Sequence, residues 1–527
     1  MTVARTRCIA LVGVAGHLVD VEADVGAGMA GLHLIGMLDT ALSEARDRVR
    51  SAVVNSRYGW PDARITVSLF PASLPKRGSV FDLAIAVALL AAAGAVPRAK
   101  VARLFFLGEL GLDGSVRPVR GVLPAVLAAA GAGTGTVVVP AHNAAEAALV
   151  PDVTVIPVAT LGELVSWLRS DDPVNVPLAE HTPSVGLPGP AGGSDGARSF
   201  VPDGPSESAP DLGDVAGQPA ARRALEVCAA GGHNFWMLGQ PGTGKTMLAE
   251  RLPTLLPPLE RDAALEVTAI HSVAGVLPAD RPLLTRPPFV APHHTATVAA
   301  VIGGGSGVIR PGAVSLAHRG VLFLDEAPEY PATVLDSLRQ PLESGRVTVS
   351  RALGSVTFPA RFMLVLAANQ CPCAQPSSPE DPCRCTPAVR RRYLSRLSGP
   401  LLDRIDVKAT LHRSTRRELL ADRRFIEPSR VVAERVLLAR GRAAKRFAGR
   451  PWRCNAEMPT RALHAEYRPR PEAMSPLLRC LDSGELSARG LDRVLRVAWT
   501  LADLGGRDRP EVEETNTALG LWLGEER

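Results

Sequence analysis

The sequence predicts an α/β protein of several domains that ends in a helical domain. Three observations lead to this prediction. Short β-like runs alternate with Ala- and Leu-rich helical runs in residues 1–170, apolar strand-like runs are separated by helical segments in residues 211–413, and strand signals disappear from about Ser414 onward. Alternation of this kind is typical of sheets covered by helices. A chain of 527 residues is also too long for one hydrophobic core.

In the first predicted domain, residues 1–170, strand-like runs such as RITVSLFP alternate with helical runs such as VLPAVLAAAGAG. The longest apolar run, Leu83 to Val96, is shorter than the roughly 20 residues that cross a bilayer, so it predicts a buried helix. The N-terminal residues contain no uninterrupted apolar stretch before a small-residue cleavage site. We therefore expect a cytoplasmic protein without an export signal and without a membrane partner.

Residues 171–210 are rich in Pro, Gly and Ser and show no apolar periodicity. Such a stretch cannot bury enough apolar surface to offset its ordering entropy, so it predicts a flexible linker. The net charge of +6 and the pI near 9.0 are compatible with an anionic partner but do not require one. Local clustering among the eight cysteines favours metal binding or reduced thiols over a disulfide framework.

The segment GQPGTGKT is the clearest chemical signal in the chain. It follows the apolar run NFWML and precedes the helical run MLAERLPTLL. In such a loop, backbone N–H groups and the helix N-terminus bind phosphate oxygens, the lysine neutralises the terminal phosphates and the hydroxyl binds Mg²⁺. The sequence therefore predicts a nucleotide and Mg²⁺ site formed by Gly239, Gln240, Pro241, Gly242, Thr243, Gly244, Lys245 and Thr246.

Two further strand ends carry polar residues that suit this site. GVLFLDE places Asp325 and Glu326 at the end of a strand, and FMLVLAAN ends at Asn369. Alone, the acidic pair would be a helix N-terminus and the asparagine a turn cap. With the phosphate loop, we expect Asp325 to bind Mg²⁺, Glu326 to polarise the attacking water and Asn369 to orient it. Strands separated by crossover segments also predict a parallel sheet.

Long motifs in the chain resemble those of the Mg-chelatase-like ATPases of the ComM/YifB type, a branch of the AAA+ ATPases. They include DVAGQPAARRALEVCAAGGHNFWMLGQPGTGKTMLAERLPTLLPPL, PPFVAPHHTATVAAVIGGG and LSGPLLDRIDV. The resemblance implies a Lon-protease-like (S5-like) α/β domain at 1–170, a P-loop core with a helix-2 insert at 211–413 and a helical lid at 414–527. It also implies a homo-hexameric ring with ATP at the subunit interfaces.

The same resemblance assigns two arginines to the nucleotide. Arg404 in LLDRID would reach into the neighbouring subunit's site and stabilise the transferring phosphoryl group. Without the resemblance, Arg404 would read as a surface arginine paired with Asp403 or Asp406. In the lid, LSARGLDRVLRVA resembles the sensor-2 segment, with Arg489 as the nucleotide-binding residue and Arg493 as the second choice.

The first domain resembles Lon-type peptidases but lacks their chemistry. An ungapped reading puts Val80 at the position of the nucleophilic serine and Leu123 at that of the lysine. Neither side chain can perform acyl transfer, and Ser79 is displaced by one residue. We therefore expect no peptidase activity and a binding or ring-assembly role for this domain.

A cysteine-rich segment, CPCAQPSSPEDPCRC, follows Asn369 with the spacing C-x-C-x₉-C-x-C. Four thiolates on a Pro-rich loop suit a tetrahedral structural Zn²⁺, while four reduced and unligated thiols are the alternative. The candidate zinc ligands are Cys371, Cys373, Cys383 and Cys385.

Two insertions and the family resemblance suggest what the ATPase acts on. A predicted β-hairpin around Ser350 carries Arg351 near its tip, and PHHTATVAAVIGGGSG contributes His293 and His294. These residues are candidate DNA contacts; a solvated hairpin arginine and two packed histidines are the alternative. The resemblance to ComM-type helicases implies DNA branch migration in recombination during natural transformation. A Mg-chelatase-like motor that remodels a protein partner for metal insertion is the second hypothesis.

Overall fold

The computed structural model describes residues 3–36, 39–133, 135–170, 198–200, 210–278, 280–305, 309–351, 354–373, 383–414 and 426–524. The linker predicted at 171–210 lies outside the described residues, except for 198–200 and Pro210. None of the described helices is long and apolar enough to cross a membrane. The chain divides into two compact units, Met1–Gly193 with Leu265–Leu284 and Gly305–Pro311, and Ser194–Ala264 with Thr285–Gly304 and Gly312–Arg527.

The first unit is built on a mixed sheet. Seven of its described strands form one sheet in the order β3-β4-β2-β1-β5-β8-β9, and β6 and β7 form a separate antiparallel pair. The strands of the described chain up to residue 170 are β1 (Ala4–Val12), β2 (Ala15–Gly26), β3 (Gly31–Ile35), β4 (Arg64–Phe70), β5 (Phe105–Phe106), β6 (Glu109–Leu110), β7 (Val116–Arg117), β8 (Thr136–Pro140) and β9 (Thr154–Val158).

The helices of residues 39–170 cover this sheet. The predicted buried helix is confirmed over Leu83–Ala92: every residue of the helix Asp82–Ala92 is buried, and the helix packs against β1 and β2. The rest of the predicted run, 93–96, lies beyond the end of this helix. An apolar sequence on all sides of a helix indicates such complete burial. The helices are α1 (Thr40–Ser43), α2 (Ala45–Asn55), α3 (Asp82–Ala92), α4 (Arg98–Val101), α5 (Val122–Gly131), α6 (Ala144–Ala147) and α7 (Leu161–Arg169).

The second unit contains the predicted parallel sheet. Five strands, in the order β12-β15-β18-β11-β19, run parallel to their neighbours, and β10 adds an antiparallel edge beside β12. The strands of the chain after residue 197 are β10 (Arg198–Phe200), β11 (Phe235–Gly239), β12 (Phe289–Ala291), β13 (Gly303–Gly304), β14 (Arg310–Pro311), β15 (Val321–Leu324), β16 (Arg346–Arg351), β17 (Gly354–Pro359), β18 (Met363–Ala368) and β19 (Val407–Leu411).

After residue 426 the described chain is helical, as the sequence predicts. Its longest helices pack against each other and against the helix that precedes β11. The helices after residue 210 are α8 (Pro219–Gly231), α9 (Lys245–Leu255), α10 (Arg261–Ala274), α11 (Val298–Ile302), α12 (Ala313–Leu316), α13 (Ala332–Ser337), α14 (Arg339–Ser344), α15 (Pro387–Leu394), α16 (Gly399–Leu402), α17 (Ser429–Arg446), α18 (Thr460–Ala465), α19 (Pro471–Asp482), α20 (Ala488–Gly505) and α21 (Val512–Leu523).

Buried hydrogen bonds hold the second half of α10 within the first unit. Ser272 donates to the carboxylate of Glu146, which also accepts from the backbone N–H of Leu123 at 2.8 Å. The Ser272 hydroxyl accepts from the backbone N–H of Gly121 at 3.0 Å. Burial raises the pKa of Glu146, so these donors compensate part of the cost of burying its charge. The first unit is therefore completed by residues from beyond the linker.

Candidate nucleotide site

The phosphate loop connects β11 to α9 and depends on glycine at three positions. Gly242 and Gly244 have φ of 76° and 91°, which side chains other than glycine rarely adopt. At Gly239 an added Cβ would lie 2.8 Å from Thr243 Oγ1 and 2.9 Å from the carbonyl oxygen of Leu411, so only glycine fits. The chain therefore turns tightly into α9, whose N-terminus faces the loop.

Lys245, the first residue of α9, is buried and points back along the loop. Its ammonium donates to the carbonyl oxygens of Gly239 and Gln240 at 2.9 Å each, and to Asn369 Oδ1 at 3.1 Å. Burial lowers the pKa of Lys245 because it removes water from the charged form. The structure thus brings the predicted phosphate-binding lysine into contact with the predicted water-orienting asparagine from β18.

Thr246 and the acidic pair after β15 meet at the other side of the loop. Thr246 Oγ1 donates to Asp325 Oδ2 at 2.7 Å, and Asp325 Oδ1 accepts from the backbone N–H of Glu326 at 2.9 Å. Hydroxyl and carboxylate oxygens are ligands that suit Mg²⁺. Glu326 has left-handed backbone angles, φ 49° and ψ 42°. Non-glycine residues with such angles occur preferentially at functional sites.

A cavity of about 580 Å³ opens beside Thr246, Asp325 and Glu326, and it brings in residues that the sequence grouped elsewhere. His293 and His294, predicted as DNA contacts, line this cavity, and their rings contact each other with centroids 4.1 Å apart and an interplanar angle of 34°. His294 Nδ1 lies 3.6 Å from Glu326 Oε2. The structure therefore places both histidines in the cavity of the acidic pair.

The predicted nucleotide arginines lie in a different cavity, of about 190 Å³. Arg404 and Arg489 line it together with Arg493, Arg496 and the carboxylates of Glu343, Asp403 and Asp492. Neither Arg404 nor Arg489 is among the described residues that line the cavity of Thr246 and Asp325. Four arginines and three carboxylates line this second cavity, and one of the arginines, Arg493, is also paired with the buried carboxylate of Asp406.

Arg404 lies just after α16 and its side chain is largely buried. Its guanidinium donates to the carboxylate of Glu343 and to the carbonyl oxygen of Pro400. The ion pair is thus made with Glu343, whereas the sequence considered Asp403 and Asp406 as partners. Arg489, on the first turn of α20, is exposed.

The predicted hairpin is confirmed. β16 and β17 pair antiparallel from Arg346 opposite Pro359 to Arg351 opposite Gly354, and Arg351 is exposed near the tip. A Cβ added to Gly304 would lie 3.2 Å from Arg351 Nη2. The hairpin arginine therefore lies next to the segment that begins at the two histidines.

The cysteines that follow β18 lie together. The sulfur atoms of Cys371, Cys373, Cys383 and Cys385 all lie within 4.8 Å of one another. A tetrahedral zinc site with bonds of about 2.3 Å has sulfurs about 3.8 Å apart. The backbone N–H of Cys385 donates to Cys383 Sγ and lowers the pKa of that thiol to about 6, which favours the thiolate. Burial acts in the opposite sense on Cys371 and raises its pKa to about 12.

Donor type and spacing fit a structural Zn²⁺, so the metal content of the protein is testable. We expect about one zinc per purified chain and loss of most of it in Cys383→Ser, because three sulfur ligands do not complete the tetrahedron. Cys480→Ser, outside the cluster, is the matched control and should keep its zinc. Elemental analysis by mass spectrometry measures this. Zinc-free wild-type protein prepared without chelators would contradict the assignment.

The positions that resemble a peptidase site show other contacts in the first unit. Ser79 donates to the carboxylate of Glu109, and Leu123 is completely buried. Lys76 is also completely buried, its ammonium donates to the carbonyl oxygen of Pro71, and burial lowers its pKa. The sequence did not single out Lys76. A buried lysine can be recognised only once the fold is known.

Comparison with known proteins matches this architecture. The family model "Magnesium chelatase, subunit ChlI" matches residues 211–419. "Subunit ChlI of Mg-chelatase" matches residues 21–143, and "Magnesium chelatase, subunit ChlI C-terminal" matches residues 426–521. One match lies before the predicted linker, and the other two follow each other after it.

Relatives extend the similarity to almost the whole chain. The Mycobacterium tuberculosis protein Rv2897c is 52% identical over 521 residues, which cover 99% of each chain. The competence protein ComM of Haemophilus influenzae is 38% identical over 520 residues, 99% of this chain and 97% of ComM. YifB of Escherichia coli is 37% identical over 508 residues, 96% of this chain and 94% of YifB. The chain belongs to the Mg-chelatase-like family of ComM and YifB.

Proposed function

We propose that the protein is a hexameric AAA+ ATPase of the ComM type that translocates DNA and promotes branch migration during recombination. ATP hydrolysis between subunits is supported by one observation: the residues predicted to act on the nucleotide are divided between two cavities. Lys245, Thr246 and the acidic pair belong to one cavity, and Arg404 and Arg489 line the other. A site divided in this way is completed when the arginine cavity of one subunit meets the phosphate loop of its neighbour.

Each residue at the phosphate loop has a role that follows from its contacts. Lys245 would exchange the loop carbonyls for terminal phosphate oxygens, and Thr246 and Asp325 would hold Mg²⁺ against the same phosphates. Glu326 would accept a proton from the attacking water, and Asn369 would orient that water. His294 contacts Glu326 and is assigned to this site rather than to DNA.

The other parts of the chain have supporting roles in this proposal. The first unit is a Lon-like module for binding or ring assembly without peptidase activity, since Leu123 offers no amine and Ser79 is bound to a carboxylate. Residues 171–210 serve as the linker, 211–413 as the motor core apart from Leu265–Leu284 and Gly305–Pro311, which belong to the first unit, and 414–527 as the helical lid. The cysteine cluster, directly after the Asn369 strand, holds that loop through Zn²⁺.

DNA is the proposed load on two grounds. The relative ComM is named a competence protein, and the resemblance to this family implies DNA branch migration during natural transformation. On the chain itself, Arg351 is exposed near the tip of a two-stranded hairpin, and the net charge is +6. An exposed arginine near a hairpin tip suits transient contact with DNA phosphates. In a ring, each subunit would present one such arginine.

Forked or three-stranded DNA should raise the ATPase rate several-fold, and Arg351→Ala should remove most of this stimulation while the DNA-free rate stays unchanged. The reason is that Arg351 would neutralise a phosphate and not contact ATP. Arg346→Ala, an exposed arginine at the base of the same hairpin, is the matched control. A coupled ATPase assay over a panel of DNA structures measures both rates.

The same panel tests the second candidate, a motor that remodels a protein partner for metal insertion. The family models that match the chain describe a magnesium chelatase subunit. If this candidate is correct, no form of DNA changes the ATPase rate of the wild-type protein. That outcome would contradict DNA translocation and leave the ATPase assignment intact.

A further inference from the structure

A group of buried polar contacts connects the helical lid to the segment that carries Arg404. Asp406, two residues after Arg404, is almost completely buried, and its Oδ1 accepts from Arg493 Nη1 at 2.9 Å. Arg493 lies on α20, in the lid. The lid helix is therefore tied by an ion pair to the start of β19.

The same carboxylate also fixes the backbone around Arg404. Asp406 Oδ2 accepts from the backbone N–H of Asn234 at 3.0 Å, and Asn234 Nδ2 donates to the carbonyl oxygen of Arg404 at 2.8 Å. Asn234 Oδ1 accepts from the backbone N–H of Leu364 at 2.8 Å, at the start of β18. The Asn234 side chain thus joins the backbone of Arg404 to the sheet, and Asp406 holds the backbone of Asn234.

A buried histidine, His233, lies between Asp406 and the lid helix α20. His233 is completely buried, its Nε2 lies 2.7 Å from Thr500 Oγ1 on α20, and its Nδ1 lies 3.6 Å from Asp406 Oδ2. Burial alone would raise the pKa of Asp406, but the charge of Arg493 and the contact with His233 hold this pKa well below its usual range. The Asp406 carboxylate is therefore charged, and Arg493 supplies its countercharge.

We propose that Arg493 is a positioning residue for Arg404: its ion pair with Asp406 couples the lid helix to the segment that presents Arg404 to the neighbouring subunit. This rests on the proposed function, in which Arg404 acts between subunits. Arg493 is committed to Asp406, whereas no hydrogen bond or ion pair of the Arg489 side chain is found within the described residues. Arg489 is thus the lid arginine available to a ligand, and Arg493 acts through the protein.

A double-mutant cycle on kcat tests the proposal. Arg493→Ala should lower kcat about tenfold and change the KM for ATP less than about twofold, because only a transition-state contact is misplaced. In the Arg404→Ala background, Arg493→Ala should have no further effect, since both changes remove the same interaction. Asp406→Asn should reproduce the loss of Arg493→Ala, and Arg493→Lys should recover part of it.

Controls separate positioning from folding and from direct contact with nucleotide. Arg479→Ala, an exposed arginine on α19, should keep wild-type kinetics. Thermal melting shows whether each variant is folded at the assay temperature. If Arg493→Ala is unfolded, Arg493→Lys replaces it in the double-mutant cycle. The proposal is overturned by equal effects of the Arg493 change in both backgrounds, by a normal kcat in Arg493→Ala, or by a normal kcat in Asp406→Asn.

The cycle also distinguishes a failure of the proposed hydrolysis between subunits from a failure of the positioning role of Arg493. If Arg404→Ala alone leaves turnover unchanged, hydrolysis between subunits is contradicted, and the role of Arg493 falls with it. If Arg404→Ala lowers turnover and the Arg493 change adds its own separate loss, only the positioning role is contradicted.

Discussion

Arg404→Ala should lower kcat for ATP hydrolysis by about 10³-fold or more, because an arginine supplied to the transferring phosphoryl group contributes on that scale in other phosphoryl-transfer proteins. The loss should appear in kcat with ATP affinity nearly unchanged, since the phosphate loop with Lys245 and Thr246 would hold the bound nucleotide, and Arg404 would stabilise the phosphoryl group during transfer. Steady-state kinetics with a parallel measurement of nucleotide binding give both quantities.

The matched control for Arg404→Ala is Arg396→Ala. Arg396 lies near α16, is exposed, and pairs with Glu329 on the surface. Exposed pairs of this kind contribute little to stability, so this variant should hydrolyse ATP normally. A normal kcat in Arg404→Ala would contradict the proposed role of this arginine.

Glu326→Gln should lower the hydrolysis rate by about 10²–10⁴-fold while ATP binding persists. Glutamine keeps the shape of the side chain but cannot accept the proton of the attacking water. The proposed Mg²⁺ ligands Thr246 and Asp325 should stay in place, because Asp325 is held by the Thr246 hydroxyl and by the backbone N–H of residue 326. Single-turnover hydrolysis with labelled ATP measures the rate on the bound nucleotide.

Asp325→Asn serves as the comparison for Glu326→Gln. It removes the charge that would hold Mg²⁺, so it should weaken Mg²⁺-dependent ATP binding as well as hydrolysis. Equal loss of ATP binding in both variants would mean that Glu326 holds the nucleotide and does not act as a base.

Much of the geometry of the candidate nucleotide site could be predicted because its residues stand in short, recognisable segments of the sequence. The phosphate loop, the acidic pair after β15 and the asparagine after β18 each stand at the end of an apolar strand. Parallel strands bring their carboxyl ends to the same edge of a sheet. The contact of Lys245 with Asn369, 124 residues apart, follows from this rule alone.

Other contacts could not be predicted because nothing in the local sequence marks them. His294 was grouped with the hairpin, yet the short strand β12 carries its segment alongside β15 and towards Glu326. Arg493 and Asp406 are 87 residues apart, and their pairing depends on how the lid helix packs. The sequence likewise gave no sign that the second half of α10 belongs to the first unit, since that depends on the contact of Ser272 with Glu146.

Mixing two inactive variants tests hydrolysis between subunits most directly. Lys245→Ala removes the phosphate-binding lysine but leaves Arg404 intact, and Arg404→Ala leaves the phosphate loop intact. Each variant alone should show only residual ATPase activity. An equimolar mixture should regain a substantial part of the wild-type ATPase rate, because some interfaces then combine an intact loop with an intact arginine. A mixture as inactive as its two components, although the subunits assemble together, would contradict the shared site.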